Sequence, residues 1–217
     1  MATASQMLQQ LQTFKGCARL FVTLCTVSVL TAVFINFVLA GKDRAVQSRR
    51  RSAVATGSML AFFAGIYLLI RLRIGAREIP GIYYPAAISG LMLLFLGTAI
   101  NIMGRFSLGR NWGNQVIIYQ DHKLVTGGVY RIVRHPLYVG LIWMFIGASL
   151  VFQNWATLAA TVFIFLPAMF YRANLEKKFL SRNFPVMWNT ATRPECFFPF
   201  RWGRKWRGFP GLRLHFA

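Results

Sequence analysis

The sequence predicts an all-α integral membrane protein of about five transmembrane helices, with a cytosolic loop and C-terminal tail polar enough to do chemistry. Two observations carry that expectation. The chain of 217 residues is 56% hydrophobic yet holds 25 Lys+Arg against 5 Asp+Glu, and its charges are segregated into blocks. A soluble or disordered basic protein has far less apolar content and a more even spread of charge.

The first element is the uncharged stretch Leu20 to Gly41, 22 residues between Arg19 and Lys42. The second is the 19 residues between Arg51 and Arg71, and the third the 26 residues between Glu78 and Arg105. At about 1.5 Å per residue each can cross a hydrocarbon core of about 30 Å. The fourth block, 37 residues from His135 to Tyr171 without Asp, Glu, Lys or Arg, is too long for one span, since a single helix would run roughly 55 Å. Gln153-Asn154 is polar and central, so two helices are expected, Leu137–Phe152 and Trp155–Tyr171, joined by a very short turn.

An odd number of spans puts the termini on opposite sides. Lys42–Arg51, Arg105–Arg134 and the segment from Arg172 onward together hold 20 of the 25 cations, and Lys15, Arg19, Arg71, Arg73 and Arg77 make up the other side. The positive-inside rule therefore expects the N-terminus outside and the C-terminus in the cytosol of a multi-pass protein. Val38-Leu39-Ala40 resembles a signal-peptide cleavage site, but cleavage would send Lys42, Arg44 and Arg49 to Arg51 outside, against that rule, and 22 apolar residues are long for a signal core. The expected organisation is one membrane domain: three N-terminal helices in 1–103, then a loop, the hairpin 137–171 and a cytosolic segment in 104–217.

Cys17, Cys25 and Cys196 are odd in number and scattered, so neither a disulfide framework nor a metal site is expected. Chemistry is expected instead in the loop Arg105–Arg134 and the tail Arg172–Ala217, which flank the hairpin and should meet at its mouth. In the run His122 to Gly140, Gly127-Gly128 supplies a turn and Pro136 suits the first turn of a helix, which puts His135 at a helix N-terminus. Orphan N–H groups there favour a carboxylate. Gly140 on the same turn allows close approach by a neighbour. A structural account covers the same residues: Arg131 and Arg134 as anchors, Tyr130 and Tyr138 as interfacial aromatics, and Pro136 as a plain helix start. In the tail, Arg172 and Glu176 are four apart and share a helix face; an ordinary surface ion pair is the alternative. Glu176 is one of only five acids and stands in strongly basic surroundings.

Three ordered motifs, His122-x-Leu-Val-Thr-x-Gly-Val-Tyr130, Arg134-His-Pro-x-Tyr138-x-Gly140 and Arg172-x-x-x-Glu176, resemble the isoprenylcysteine carboxyl methyltransferase family and its phospholipid methyltransferase relatives. Gly109-Arg-Asn-Trp-Gly-Asn-Gln115 resembles the family's approach to its cofactor loop, and the resemblance covers roughly residues 104–200. It implies S-adenosylmethionine held by Gln115, by His122, Lys123, Leu124 and Val125, by Tyr130, by His135, Pro136, Leu137 and Tyr138, and by Glu176. It implies that Arg172 faces the carboxylate of a lipophilic, prenylated methyl acceptor, with no metal. The chain departs from the family in Lys177, where many relatives carry a second Glu, and in Val129, where many carry Pro. With five spans it is similar to the compact prokaryotic members of an inner or plasma membrane.

The rival on the same scaffold is a phospholipid or small-molecule N- or S-methyltransferase; Arg172 favours an anionic acceptor over an amine. A sterol-type membrane reductase, which would use a nicotinamide cofactor, shares an Arg-His element but not His-x-Leu-Val. A soluble methyltransferase would need a glycine-rich turn after a strand, and a transporter would show repeats and charged residues in mid-membrane. The tail from Arg201 to Arg213 interleaves five basic residues with Trp202, Trp206 and Phe209, which suits an anionic lipid surface. The expected partners are thus the bilayer and the acceptor, with no nucleic acid.

Overall fold

The structure is a computed structural model that describes residues 4–39, 46–50, 53–79, 81–108, 116–119, 128–133 and 135–183. It is helical as expected, with α1 (Ala4–Leu39), α2 (Ala53–Arg71), α3 (Tyr83–Leu108), α4 (Pro136–Val151), α5 (Trp155–Ala160) and α6 (Leu166–Asn183). Among the described residues, Ser5–Asn36, Tyr83–Leu108 and Trp155–Glu176 are long and apolar enough to cross a membrane, and Ala61–Arg71 and Pro136–Val151 are shorter apolar helices. Each of these five segments overlaps one of the five expected spans.

α1 begins 16 residues before the apolar stretch at Leu20. Residues 4–15 are good helix formers without Gly or Pro, so the helix continues past the apolar run, and Phe14 packs on Tyr83 and Tyr84 at ring distances of 6.1 and 5.2 Å. The contact sets the starts of α1 and α3 side by side. From there the two run together, with Cys25 and Val29 of α1 packed with Leu94 of α3 and with Met144 and Ala148 of α4.

The most extensive contact in the molecule joins α3 to α4, and glycines on both helices make it possible. A Cβ on Gly97 would fall 2.6 Å from the Gly140 carbonyl oxygen, and one on Gly90 would fall 2.7 Å from that of Gly147. Seven residues separate the glycines on each helix. The backbones therefore approach too closely for any side chain, which is the packing small residues allow where lipid removes the hydrophobic drive between helices. Gly140 performs the close approach expected of it. Gly97→Val should force the helices apart and lower stability by about 1–3 kcal/mol. A thermal unfolding curve in detergent would show this as a fall in Tm, with a much smaller fall for Gly65→Val, where the added Cβ meets open space.

The hairpin turns at Phe152-Gln153-Asn154, the expected break, and the turn is tied to the α2–α3 connection. Asn154 accepts from Thr157 N–H at 2.9 Å as the cap of α5 and donates to the Leu69 carbonyl at 3.1 Å. Gln153 accepts from Ile79 N–H through its side chain at 2.8 Å and from Arg77 N–H through its carbonyl at 3.0 Å. Beyond α5, Thr161–Phe165 forms a π-helical turn before α6, where a straight helix was expected. Pro167 accounts for it: the residue has no N–H to donate and its ring clashes with the carbonyl four residues back, so the preceding turn widens. Phe165 in this turn stacks on Phe62 of α2 at 4.5 Å.

At the other end of the helices the fold has an element beyond the all-helical expectation. β1 (Val46–Arg50) pairs antiparallel with β2 (Val116–Tyr119), Arg50 opposite Val116 and Val46 opposite Tyr119. The Val-Ile-Ile-Tyr run suits a strand. This ribbon links the α1–α2 and α3–α4 connections, which the charge count also assigns to one side.

Candidate functional site

Four elements meet at the mouth of the α4–α6 hairpin. The first is the end of α3. Asn101 is fully buried; its amide donates to the Leu137 carbonyl at 2.9 Å and its side-chain oxygen accepts from Arg105 Nε at 2.8 Å. One asparagine thus joins the last turn of α3 to the first turn of α4. One turn on, Pro136 covers Gly104, where a Cβ would meet the ring at 3.0 Å.

The second element is the 3-10 turn Gly128–Arg131, packed on α3. Gly128 has φ +60, and a Cβ there would lie 2.9 Å from Ser107 Oγ, so the second glycine of the pair is required on both counts. The turn sets Tyr130 near both Arg105 and Glu176. Burial pushes the Tyr130 hydroxyl well above the usual tyrosine range, the Glu176 charge adds to this, and Arg105 opposes it. The phenol stays protonated and able to donate a hydrogen bond across the physiological range.

The third is the start of α4. Pro136 is the first helical residue, and the His135 carbonyl accepts from Tyr138 and Val139 N–H at 3.1 Å each. His135 therefore stands at the helix N-terminus, as its position before Pro136 implies. Its ring stacks on that of Tyr138, 5.6 Å between centroids and 16° from parallel.

The fourth is α6, which carries Arg172 and Glu176 over this first turn. The Tyr138 hydroxyl donates to Glu176 Oε1. Arg172 Nε lies 3.7 Å from the same oxygen, and His135 Nδ1 lies 3.8 Å from Oε2, outside hydrogen-bond range. The Arg172 guanidinium also sits 5.9 Å from the centre of the Tyr138 ring. The Glu176 side chain is only 23% exposed and that of Arg172 18%. An ordinary surface pair has neither this burial nor a tyrosine and a histidine from another helix around its carboxylate.

His135, Tyr138, Arg172 and Glu176 are thus brought together, with Tyr130 beside them. Pro136 and Leu137 serve through packing on Gly104 and through a backbone carbonyl. Gln115, His122, Lys123, Leu124 and Val125 lie outside the described residues. Sequence reasoning missed Asn101 and Arg105, although an amide near the end of an apolar helix, four residues before an arginine, is a signal of a polar clamp. Asn101→Leu would leave the Arg105 Nε and the Leu137 carbonyl without this partner, a cost of about 1–3 kcal/mol for each buried group. The variant should unfold at lower temperature, and Asn101→Ser should recover only part of the loss.

Residues 90–182 match the profile of the isoprenylcysteine carboxyl methyltransferase (ICMT) family. A probable protein-S-isoprenylcysteine O-methyltransferase of Oryza sativa subsp. indica is 30% identical over 104 residues, 47% of this chain and 54% of the rice protein. The protein-S-isoprenylcysteine O-methyltransferase of Saccharomyces cerevisiae is 33% identical over 99 residues, 44% of this chain and 41% of its own length. That of Rattus norvegicus is 30% identical over 95 residues, 43% and 33% of the two chains. The similarity spans about half the length of the rice protein and less of the others. The matched residues contain α4, α6 short of its last residue and the α3 end that braces them, together with the whole cluster around Glu176. Over this segment, somewhat under half of the chain, the protein is similar to the isoprenylcysteine carboxyl methyltransferase family.

Proposed function

We propose that this protein transfers a methyl group from S-adenosylmethionine to the carboxylate of a lipophilic acceptor of the isoprenylcysteine type. The observation that carries the reading is the half-buried Glu176 carboxylate, held by Tyr138 and Arg172 at a helix N-terminus that His135 opens.

The residues suit that cofactor. Its amino-acid moiety has a carboxylate, which matches the orphan N–H groups at the start of α4. Its ammonium and ribose hydroxyls are donors, and a carboxylate has about four lone-pair positions, so Tyr138 and Arg172 on Oε1 do not exhaust Glu176. Tyr130, kept protonated, is a further donor beside it. When bound, S-adenosylmethionine supplies a methyl already activated on a sulfonium sulfur.

The chain then has only to align the acceptor. An acceptor carboxylate is ionised at neutral pH, so its oxygen attacks the methyl carbon without a general base. With that cofactor bound, the O–CH3 bond would form as the S–CH3 bond breaks, leaving a methyl ester and a neutral thioether. Arg172 holds the acceptor: a guanidinium has five N–H donors in a planar fork, so contact with Glu176 through Nε is compatible with a two-pronged grip on a second carboxylate. Alignment of this kind supplies much of the acceleration in a displacement with a good leaving group. The apolar helices let a prenyl tail approach from the bilayer. The orientation that the cation count favours, N-terminus outside and C-terminus inside, would put the Glu176 cluster on the cytosolic side.

The test gives purified protein radiolabelled S-adenosylmethionine and three acceptors: a farnesylated cysteine acid, its amide, and phosphatidylethanolamine. Label on the acid alone is expected. Label on the phospholipid alone would replace the carboxylate reading with the amine one, and absence of cofactor binding would remove both.

A further inference from the structure

The charge count leaves five cations on the minority side, and the structure gathers four of them. A cavity of about 400 Å³ at the end of the bundle opposite Glu176 is lined by Lys15 and Arg19 of α1, by Arg71 at the end of α2 and by Arg73 just after it. α4 spans the distance between the two ends: Pro136 starts it beside Glu176, and Val151, fifteen residues later and about 22 Å away, lines the cavity. Among the described residues Glu78 is the sole acid in the lining, and it is engaged, with both oxygens accepting from Lys15 Nζ at 2.7 and 2.8 Å. Three arginines, one from α1, one from the end of α2 and one from the turn after it, therefore face one space whose described lining holds no further acid. Arg73 has φ +57, a backbone conformation that costs a non-glycine residue about 1 kcal/mol or more, so an arginine occupies a turn position where glycine would fit more easily.

The rest of the lining is mostly apolar, with Tyr83 and Asn154 as its polar members. Ile70, Val151 and Phe152 line the cavity, and Leu72, Ile74 and Tyr84, each next in sequence to a lining residue, are exposed. Like charges gathered at an apolar helix end repel one another unless an anion joins them. An isolated phosphate would satisfy the charges but leave these apolar side chains in water. A phospholipid satisfies both, because its phosphate meets the arginines while its chains cover the apolar side chains, at about 1 kcal/mol per cation near an anionic surface.

We propose that this cavity is a binding site for the phosphate headgroup of an anionic phospholipid, at the opposite end of the bundle from the Glu176 cluster and independent of its chemistry. The site ties α1 to the α2–α3 connection, the same connection that holds the hairpin turn through Gln153 and Asn154. Occupancy should therefore stabilise the whole bundle.

The experiment is thermal unfolding of the 217-residue chain in neutral detergent with phosphatidylglycerol, phosphatidylcholine or inorganic phosphate added. Phosphatidylglycerol should raise Tm by roughly 3 °C or more at saturation, and phosphatidylcholine and inorganic phosphate should do much less. The triple variant Arg19→Gln, Arg71→Gln, Arg73→Gln should lose that shift. The tail variant Arg204→Gln, Lys205→Gln, Arg207→Gln should keep it. Native mass spectrometry of the unmodified protein gives a second reading that needs no variant: phosphatidylglycerol should be retained in preference to phosphatidylcholine. Equal shifts with the two lipids, or a shift lost in the tail variant and kept in the arginine variant, would overturn the site. A full shift with inorganic phosphate would leave an anion site and overturn its assignment to a lipid.

Discussion

Replacing Glu176 with alanine should weaken S-adenosylmethionine binding by about 10- to 100-fold, which corresponds to roughly 1.4–2.8 kcal/mol. Two losses combine in that figure. The carboxylate is the acceptor proposed for the cofactor's donors, and hydrogen bonds to a charged partner contribute about 1.5–3 kcal/mol. Its removal also leaves the Tyr138 hydroxyl and Arg172 without the oxygen that both address, so the remaining side chains rearrange. Glu176→Gln separates the two. The amide keeps an oxygen for Tyr138 and much of the shape, so the glutamine variant should unfold close to the temperature of the unmodified protein and still bind cofactor poorly. Isothermal titration with S-adenosylmethionine, read beside a melting curve, checks both. Unchanged affinity in the glutamine variant would remove Glu176 from the cofactor site.

The residues in that prediction differ in how far they were legible without a structure. Charge blocks disclose membrane-length segments well, because an uninterrupted apolar run has few uses other than burial in lipid. They disclose helix ends poorly: α1 runs 16 residues beyond its apolar stretch because helix propensity, not hydropathy, decides where it begins. The Gln153-Asn154 break was visible as two polar residues in an apolar run. Its partners were not, since Leu69, Arg77 and Ile79 are bonded through backbone groups that carry no sequence signature. Pro167 was in plain view, but a count of uncharged residues passes over it, and with it the π-helical turn.

The site shows the same division. Spacing alone sets Arg172 and Glu176 on one helix face, and Pro136 alone puts His135 at a helix start. Their meeting across two helices depended on the resemblance and on the hairpin that brings the motifs together. Asn101 stayed hidden because a neutral amide does not interrupt an apolar block and because its partner across the interface is a backbone carbonyl 36 residues away.

Arg172→Ala should reduce kcat/KM for a prenylated carboxylate acceptor by about 100-fold or more, equivalent to roughly 2.7 kcal/mol of transition-state stabilisation. The effect on cofactor affinity should be smaller than that of Glu176→Ala, but not zero. Arg172 Nε lies 3.7 Å from the carboxylate that the cofactor is proposed to use, and neighbours in one network couple by about 0.5–3 kcal/mol. A double-mutant cycle on the two residues should therefore be non-additive. Arg172→Lys keeps the charge but loses the planar fork, so it should recover only part of the activity if the grip is two-pronged, and nearly all of it if a point charge suffices. The acceptor itself provides the sharpest readout. An amide in place of the carboxylate presents no anion to Arg172, so inhibition by the amide analogue should be weak in the unmodified protein and nearly unchanged by Arg172→Ala. Inhibition by the acid product analogue should fall by the same factor as kcat/KM. If Arg172→Ala instead raised the cofactor Kd as much as Glu176→Ala and left acceptor selectivity intact, the arginine would be a positioning residue for Glu176 and not the acceptor's counter-charge.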